Sequence, residues 1–144
     1  MATKNTQKYG KRKELDIISK MLEENLDVYV PIVDDHGIDC IVTRDELHYC
    51  KVQIKSRSSD VRQPGCFTVD NHEVVIPNFY FVFFCEKTDC FWIFSSEEFC
   101  DCAKLRTNCK TAGRRKITLV SAGGRKSKKY LNYCYQNFDR IQYK

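Results

Sequence analysis

Between residues 11 and 26 the apolar side chains fall at Leu15, Ile18 and Leu22, with Ile17 and Met21 beside them. This i, i+3, i+4, i+7 spacing predicts an amphipathic helix. Glu14 stands three and four positions before Ile17 and Ile18, so it extends the stripe by a turn and is expected to point inward. An inward carboxylate needs a partner, which Lys11 to Lys13 could supply. The pattern then changes to extended stretches at Val28 to Val33, Ile38 to Thr43 and His48 to Lys55. Asp34-Asp35-His36-Gly37 and Arg44-Asp45-Glu46-Leu47 separate them as turns. Phe79 to Phe84 is apolar on both faces, as a covered central strand should be, and Phe91 to Phe94 follows after a tight turn, predicting a hairpin. Ser95-Ser96-Glu97-Glu98 carries the cap and early acids of a short helix ending near Ala103. Lys116 to Val120 reads as a strand and Lys128 to Asn137 as a closing helix. From Ser56 to Asn78 the signals are those of loops, with room for one short strand before Pro77.

At 144 residues the chain suits one domain, residues 1–144, of α/β class: an N-terminal helix, a strand meander and a mixed central sheet flanked by helices. The longest apolar run, Phe79 to Cys85, is far short of the roughly 18 residues that cross a bilayer. No apolar stretch backs the N-terminal charges, so no secretory signal and no membrane contact are expected, and the expected location is cytoplasmic. Nine cysteines would suit a disulfide scaffold in a secreted chain, but the count is odd. Only Cys85 and Cys90 approach zinc-ligand spacing, so buried thiols are expected instead.

The net charge of +5 hides a division. Residues 1–101 hold 12 Lys/Arg and 18 Asp/Glu, whereas residues 102–144 hold 12 and 1. From Lys104 to Lys129 there are ten basic residues and no acid, clustered at Arg114, Arg115 and Lys116 and at Arg125, Lys126, Lys128 and Lys129. Segregated positive charge points to a polyanionic partner, because each neutralised phosphate adds sequence-independent affinity. A solubilising segment is the plainer reading. Tyr130, Tyr133 and Tyr135 could stack on bases, although helical tyrosines usually belong to a core.

The chemistry lies in the hairpin from Ile38 to Lys55. A turn centred near Asp45-Glu46-Leu47 pairs positions whose numbers add to about 92, which sets Asp39 opposite Gln53. With a side-chain period of two, Asp39, Gln53 and Lys55 share a face. If the N-terminal helix covers that face, Glu14 joins them. Two acids, an amide and a lysine so arranged form a candidate site for a hard cation.

Glu14 on a helix, Gly37-Ile38-Asp39 on a strand and Gln53-Ile54-Lys55 on the next resemble the PD-(D/E)xK nuclease superfamily, and most nearly its small Q-x-K branch of bacterial and intron-encoded endonuclease-like proteins. The resemblance covers residues 10 to 57, including Gly10 four residues before Glu14; beyond that it is loose. It implies a restriction-endonuclease-like core and Mg2+- or Mn2+-dependent hydrolysis of nucleic-acid phosphodiesters, DNA first among them, leaving 5′-phosphate ends. Asp39 would be the direct metal ligand, with the Gln53 amide oxygen, the Ile54 carbonyl and Glu14, directly or through a water, completing the protein's share. Lys55 would orient or help deprotonate the attacking water and offset charge building on phosphorus. Lys11 and Arg57, with the basic residues of the second half, would contact nucleic acid. Nucleases of this size often pair to cut two strands, so a homodimer or higher homo-oligomer is implied by analogy.

Gln53 departs from the commoner acid. An amide binds a cation without supplying charge, which lowers the expected metal affinity. Two further readings therefore stand beside the nuclease: a non-catalytic nucleic-acid-binding module on the same fold, and a protein-interaction domain. Asp34, Asp35 and His36 imitate a metal site but read as turn residues. His48 and His72 have no matching acid and nucleophile, and neither a G-x-S-x-G nor a P-loop sequence occurs.

Overall fold

The computed structural model describes residues 2–33, 36–108 and 110–142. Asp34, Asp35 and Cys109 lie outside the described residues. Helix α1 spans Ala2–Glu23, starting earlier than its apolar pattern announces. It closes with Asn25 in the left-handed region (φ 65°), Asn25 N–H bonding the Leu22 carbonyl at 3.1 Å and Leu26 N–H bonding the Met21 carbonyl at 3.1 Å. That double closure satisfies carbonyls the last turn would otherwise leave open, and it drives Leu26 into the core. The buried stripe is Ile17, Ile18 and Met21, while Leu15 and Leu22 are each 54% exposed. The contact line is thus rotated by one position toward Glu14.

Strands β1 (Asp27–Tyr29), β2 (Cys40–Thr43), β3 (Tyr49–Arg57), β5 (Phe79–Cys85), β6 (Cys90–Ser95) and β9 (Cys134–Tyr135) form one mixed sheet in the order β1-β2-β3-β5-β6-β9. Only the β3–β5 neighbours are parallel; the crossover between them carries β4 (Cys66–Val69), the short strand foreshadowed before Pro77. Strand β4 pairs with β8 (Arg115–Thr118), and β8 with β7 (Lys104–Leu105), in a second, three-stranded sheet. The expected hairpin is β5–β6. Helix α2 (Ser96–Cys102) starts on Ser95, whose side chain accepts the Glu98 N–H.

Two apolar cores result, one on each face of the large sheet. Helix α1 packs Ile17, Ile18 and Met21 against Val42, Cys50, Val52, Tyr80 and Val82. The other face buries Phe79, Phe81, Phe83 and Trp92 under β4, β8 and α2. This explains why β5 is apolar on both faces: all seven of its residues are buried.

The closing helix expected over Lys128 to Asn137 is not formed. Lys128–Tyr133 is a 3-10 turn, after which β9 pairs with β6. Cross-strand pairing with β6 outweighs the local helical pattern there. Tyr130 is buried and Tyr133 stacks on Phe94 at 4.3 Å, so both belong to the core. The described cysteines are all free, five of them buried. Among the described residues no helix is long and apolar enough to cross a membrane.

Candidate active site

The site depends on the β2–β3 turn. Asp45 Oδ1 accepts the N–H groups of Leu47 and His48, both at 2.9 Å, and Oδ2 meets His48 Nδ1 at 2.6 Å. Glu46 takes the left-handed conformation the turn requires (φ 63°). These bonds favour the ionised form and hold the Asp45 carboxyl well below the usual carboxylate range. The turn fixes the register as Thr43↔Tyr49, Val42↔Cys50, Ile41↔Lys51 and Cys40↔Val52, each pair summing to 92 as the sequence predicts.

At Asp39 the ladder ends in a different arrangement from a simple Asp39–Gln53 pair. Its N–H bonds the Val52 carbonyl at 2.9 Å, and its Oδ2 accepts the Ile54 N–H at 2.6 Å. The side chain thus takes the place of a main-chain acceptor on the β2 side of the ladder for a donor on β3. Ile38 packs with the core under the second sheet and Cys40 with the core under α1, so strict alternation breaks at Asp39. His36 (φ 55°) and Gly37 (φ 69°) turn the chain into this position. A Cβ at Gly37 would lie 2.9 Å from the Gln53 amide nitrogen, so the amide rests directly on the glycine backbone.

Lys51, Gln53 and Lys55 alternate along one face of β3, as period two requires, and line an open cleft of about 560 Å³ with His36, Gly37 and Asp70. Lys51 and Asp70 were not among the residues the sequence singled out. The signal for Lys51 was available, since it stands two positions before Gln53; Asp70 reaches the cleft from the loop after β4, where the pattern is weak.

Helix α1 covers the opposite face, against Cys50, Val52 and Ile54. Glu14 is carried on that helix. It is 15% exposed and paired with Lys11 at 2.9 Å, and it approaches the sheet beside Cys40. Burial, with the negative charges of Asp39 and then Glu14, pushes the Cys40 thiol up to about 12. That thiol thus feels both carboxylates, Asp39 as its chain neighbour and Glu14 from α1. Among the described residues no three His, Cys, Asp or Glu side chains come together as a metal cluster. Asp39 is bonded to Ile54, whose neighbour Gln53 lines the cleft, so the oxygens of Asp39, Gln53 and Ile54 are the candidate donors. That set suits a hard cation, which keeps much of its own water.

The basic residues separate into two groups. Arg115 is 8% exposed and donates to the carbonyls of His72, Glu73, Cys100 and Ala103, from 2.7 to 3.2 Å, so it clamps loops together and is not a nucleic-acid contact. Arg114 pairs with Asp70 at 2.7 Å, and Lys116 is half-buried in β8. Arg125, Lys126, Lys128 and Lys129 are exposed. Arg57 donates twice to the Gln63 carbonyl, which leaves its charge unneutralised.

The family model described as PD-(D/E)XK endonuclease matches residues 4–122, most of the chain and all of the site. The chain belongs to that family. Its fold is similar to that of a bacterial homing endonuclease, I-Ssp6803I, with a TM-score of 0.55 and 22% identity over 90% of this chain and 86% of that one. No curated protein matches the chain in sequence. In this member of the PD-(D/E)XK endonuclease family, the strand pair carrying Asp39 and Gln53-Ile54-Lys55 lies inside the matched region.

Proposed function

We propose that the protein is a metal-dependent endonuclease that hydrolyses DNA phosphodiester bonds at the cleft beside β3. The observation that carries the reading is the fixed 92 register, which brings the Asp39 carboxylate onto the Ile54 N–H, one residue before Lys55. Family membership supports it, and the hard oxygen donors suit Mg2+ or Mn2+. When bound, the cation supplies charge to the phosphate oxygens and a polarised water.

The chain's own residues do the rest. Asp39 is held rigid by Ile54 N–H, so its carboxylate is preorganised for a cation. Gln53, whose amide packs on Gly37, lines the cleft, and its amide oxygen would add a donor without adding charge. Lys55 sits farther along the cleft, where its ammonium would orient the attacking water and counter charge gathering on the phosphorus oxygens. Glu14, beyond β2, would act at a distance from the cleft, through a water. The protein of similar fold is described as a bacterial homing endonuclease, which, with the family membership, supports DNA as the substrate here.

The test is cleavage of supercoiled plasmid with Mg2+ or Mn2+ against EDTA. The parent cuts, and Asp39→Ala and Lys55→Ala lose at least a hundredfold of rate. Cleavage by neither metal, or variants as fast as the parent, would exclude the reading. Equal DNA affinity with and without metal, coupled to no cleavage, would leave a non-catalytic binding module.

A further inference from the structure

The basic residues of the two ends of the chain meet at one end of the large sheet. Lys8 and Arg12 on α1 line an open cleft of about 850 Å³ with Arg57 and Ser58 at the end of β3. Ser56, the next strand residue after Lys55, lines the same cleft. The β5–β6 turn ties this cleft to the second basic cluster. Its Glu86 accepts Ser59 N–H at 3.3 Å and Ser59 Oγ at 2.9 Å, beside Tyr9 of α1. Its Lys87 donates to the Ala122 carbonyl at 3.0 Å and packs on Gly124. The segment that follows presents Arg125 and Lys126 to solvent. The Gly65 carbonyl, which accepts Leu119 N–H at 2.8 Å, fastens the same segment to the loop after β3.

Two acids lie at this end and keep their charge, outnumbered by Lys8, Arg12, Arg57, Lys87, Arg125 and Lys126. Asp60 is bonded by Ser58 Oγ, and the Glu86 carboxyl is held below its usual range by the Tyr9 and Ser59 hydroxyls. The arginine charges are engaged only by uncharged groups: Arg57 by a carbonyl, Arg12 by the Tyr9 ring at 5.6 Å. What remains is a cationic band running from α1 across the end of β3 to the 121–126 loop.

We infer that this band docks the phosphodiester backbone flanking the scissile bond, with Lys8 and Arg12 on one side and Arg125 and Lys126 on the other. The assignment rests on the nuclease reading, and it replaces the expected role of Arg114, Arg115 and Lys116. Ser56 and Arg57 directly follow Lys55 on β3 and line the cleft with Lys8 and Arg12, so the band adjoins Lys55 along the strand.

The experiment is fluorescence anisotropy of the full chain on a 30-base-pair duplex, in Ca2+ to prevent cutting, across a salt series. Lys8→Gln/Arg12→Gln and Arg125→Gln/Lys126→Gln are compared with Lys20→Gln, at the far end of α1 and ~18 Å from Lys8 along its axis. Each phosphate contact removed should flatten the plot of log affinity against log salt by about 1. Each double variant is therefore expected to lose one to two from the slope and tenfold or more in affinity at low salt, while Lys20→Gln matches the parent. Parental slopes in both double variants, with a parent that binds, would overturn the band and leave the nuclease reading intact. A loss equally large in Lys20→Gln would also overturn it, by showing a field effect with no docking path. A parent that binds no duplex at any salt would overturn both.

Discussion

The Asp39 carboxylate accepts the Ile54 backbone N–H at 2.6 Å, so an acid at the mouth of one strand is locked onto the main chain of the next. This bond joins fold to site: it closes the β2–β3 ladder and holds in place the group proposed to bind the cation. Asp39→Asn keeps an oxygen acceptor, whereas Asp39→Ala leaves the Ile54 N–H without one. Thermal melting should find the asparagine variant close to the parent and the alanine variant destabilised by about 1.5–3 kcal/mol. Calorimetric Mn2+ titration should find binding weakened in both. An alanine variant as stable as the parent would show that the bond contributes nothing to the fold.

Gln53 gives a change in the opposite direction. Gln53→Glu adds a charge to the oxygen set, so Mn2+ should bind about tenfold more tightly, close to 1.4 kcal/mol. Gly37→Ala should undo part of this site, since a Cβ there meets the Gln53 amide at 2.9 Å in a backbone conformation (φ 69°) that side chains resist. Unchanged metal affinity in Gln53→Glu would place the cation away from position 53.

Arg115 separates the structural basic residues from the docking ones. Its guanidinium satisfies four main-chain carbonyls from the loop at 72–73 and the end of α2, so Arg115→Met should cost about 3 kcal/mol or more in urea unfolding. Arg125→Met, at an exposed position, should stay within about 0.5 kcal/mol of the parent.

His72 makes the stability pH-dependent. It is buried, hydrogen-bonded to Ser96 Oγ at 2.6 Å and set among Phe79, Phe81 and Phe99. Burial, then the Arg115 charge, lowers its pKa to about 4. Between its ordinary value near 6.5 and about 4 the unfolded chain takes up a proton that the folded chain refuses, so stability falls as pH falls through that window. The full effect is on the order of 3 kcal/mol. Urea midpoints from pH 7.5 to 4.5 should drop more steeply for the parent than for His72→Gln; parallel curves would mean that His72 titrates normally.

The hairpin was legible because local chemistry specified it: Asp45 caps the turn, the turn sets the register, and the register locates Asp39 and Gln53. The β5–β6 pair and the Ser95-capped helix were legible for the same reason. Three features were not, and each depends on tertiary contact. Which face of the sheet α1 covers follows from the apolar Val52, Tyr80 and Val82 side of β3 and β5, not from the helix pattern alone. The fate of Arg115 was hidden because a basic cluster reads alike whether it is solvated or clamping carbonyls. The C-terminal segment follows helical spacing, but β6 offers it an edge and wins.

The most direct test of the site is a crystal soaked in Mn2+ and measured for anomalous scattering. The account expects a peak ~2.0–2.3 Å from an Asp39 carboxylate oxygen, with the Gln53 amide oxygen or the Ile54 carbonyl as a second protein ligand. A peak bound only elsewhere, or none at a concentration that supports DNA cleavage, would contradict it.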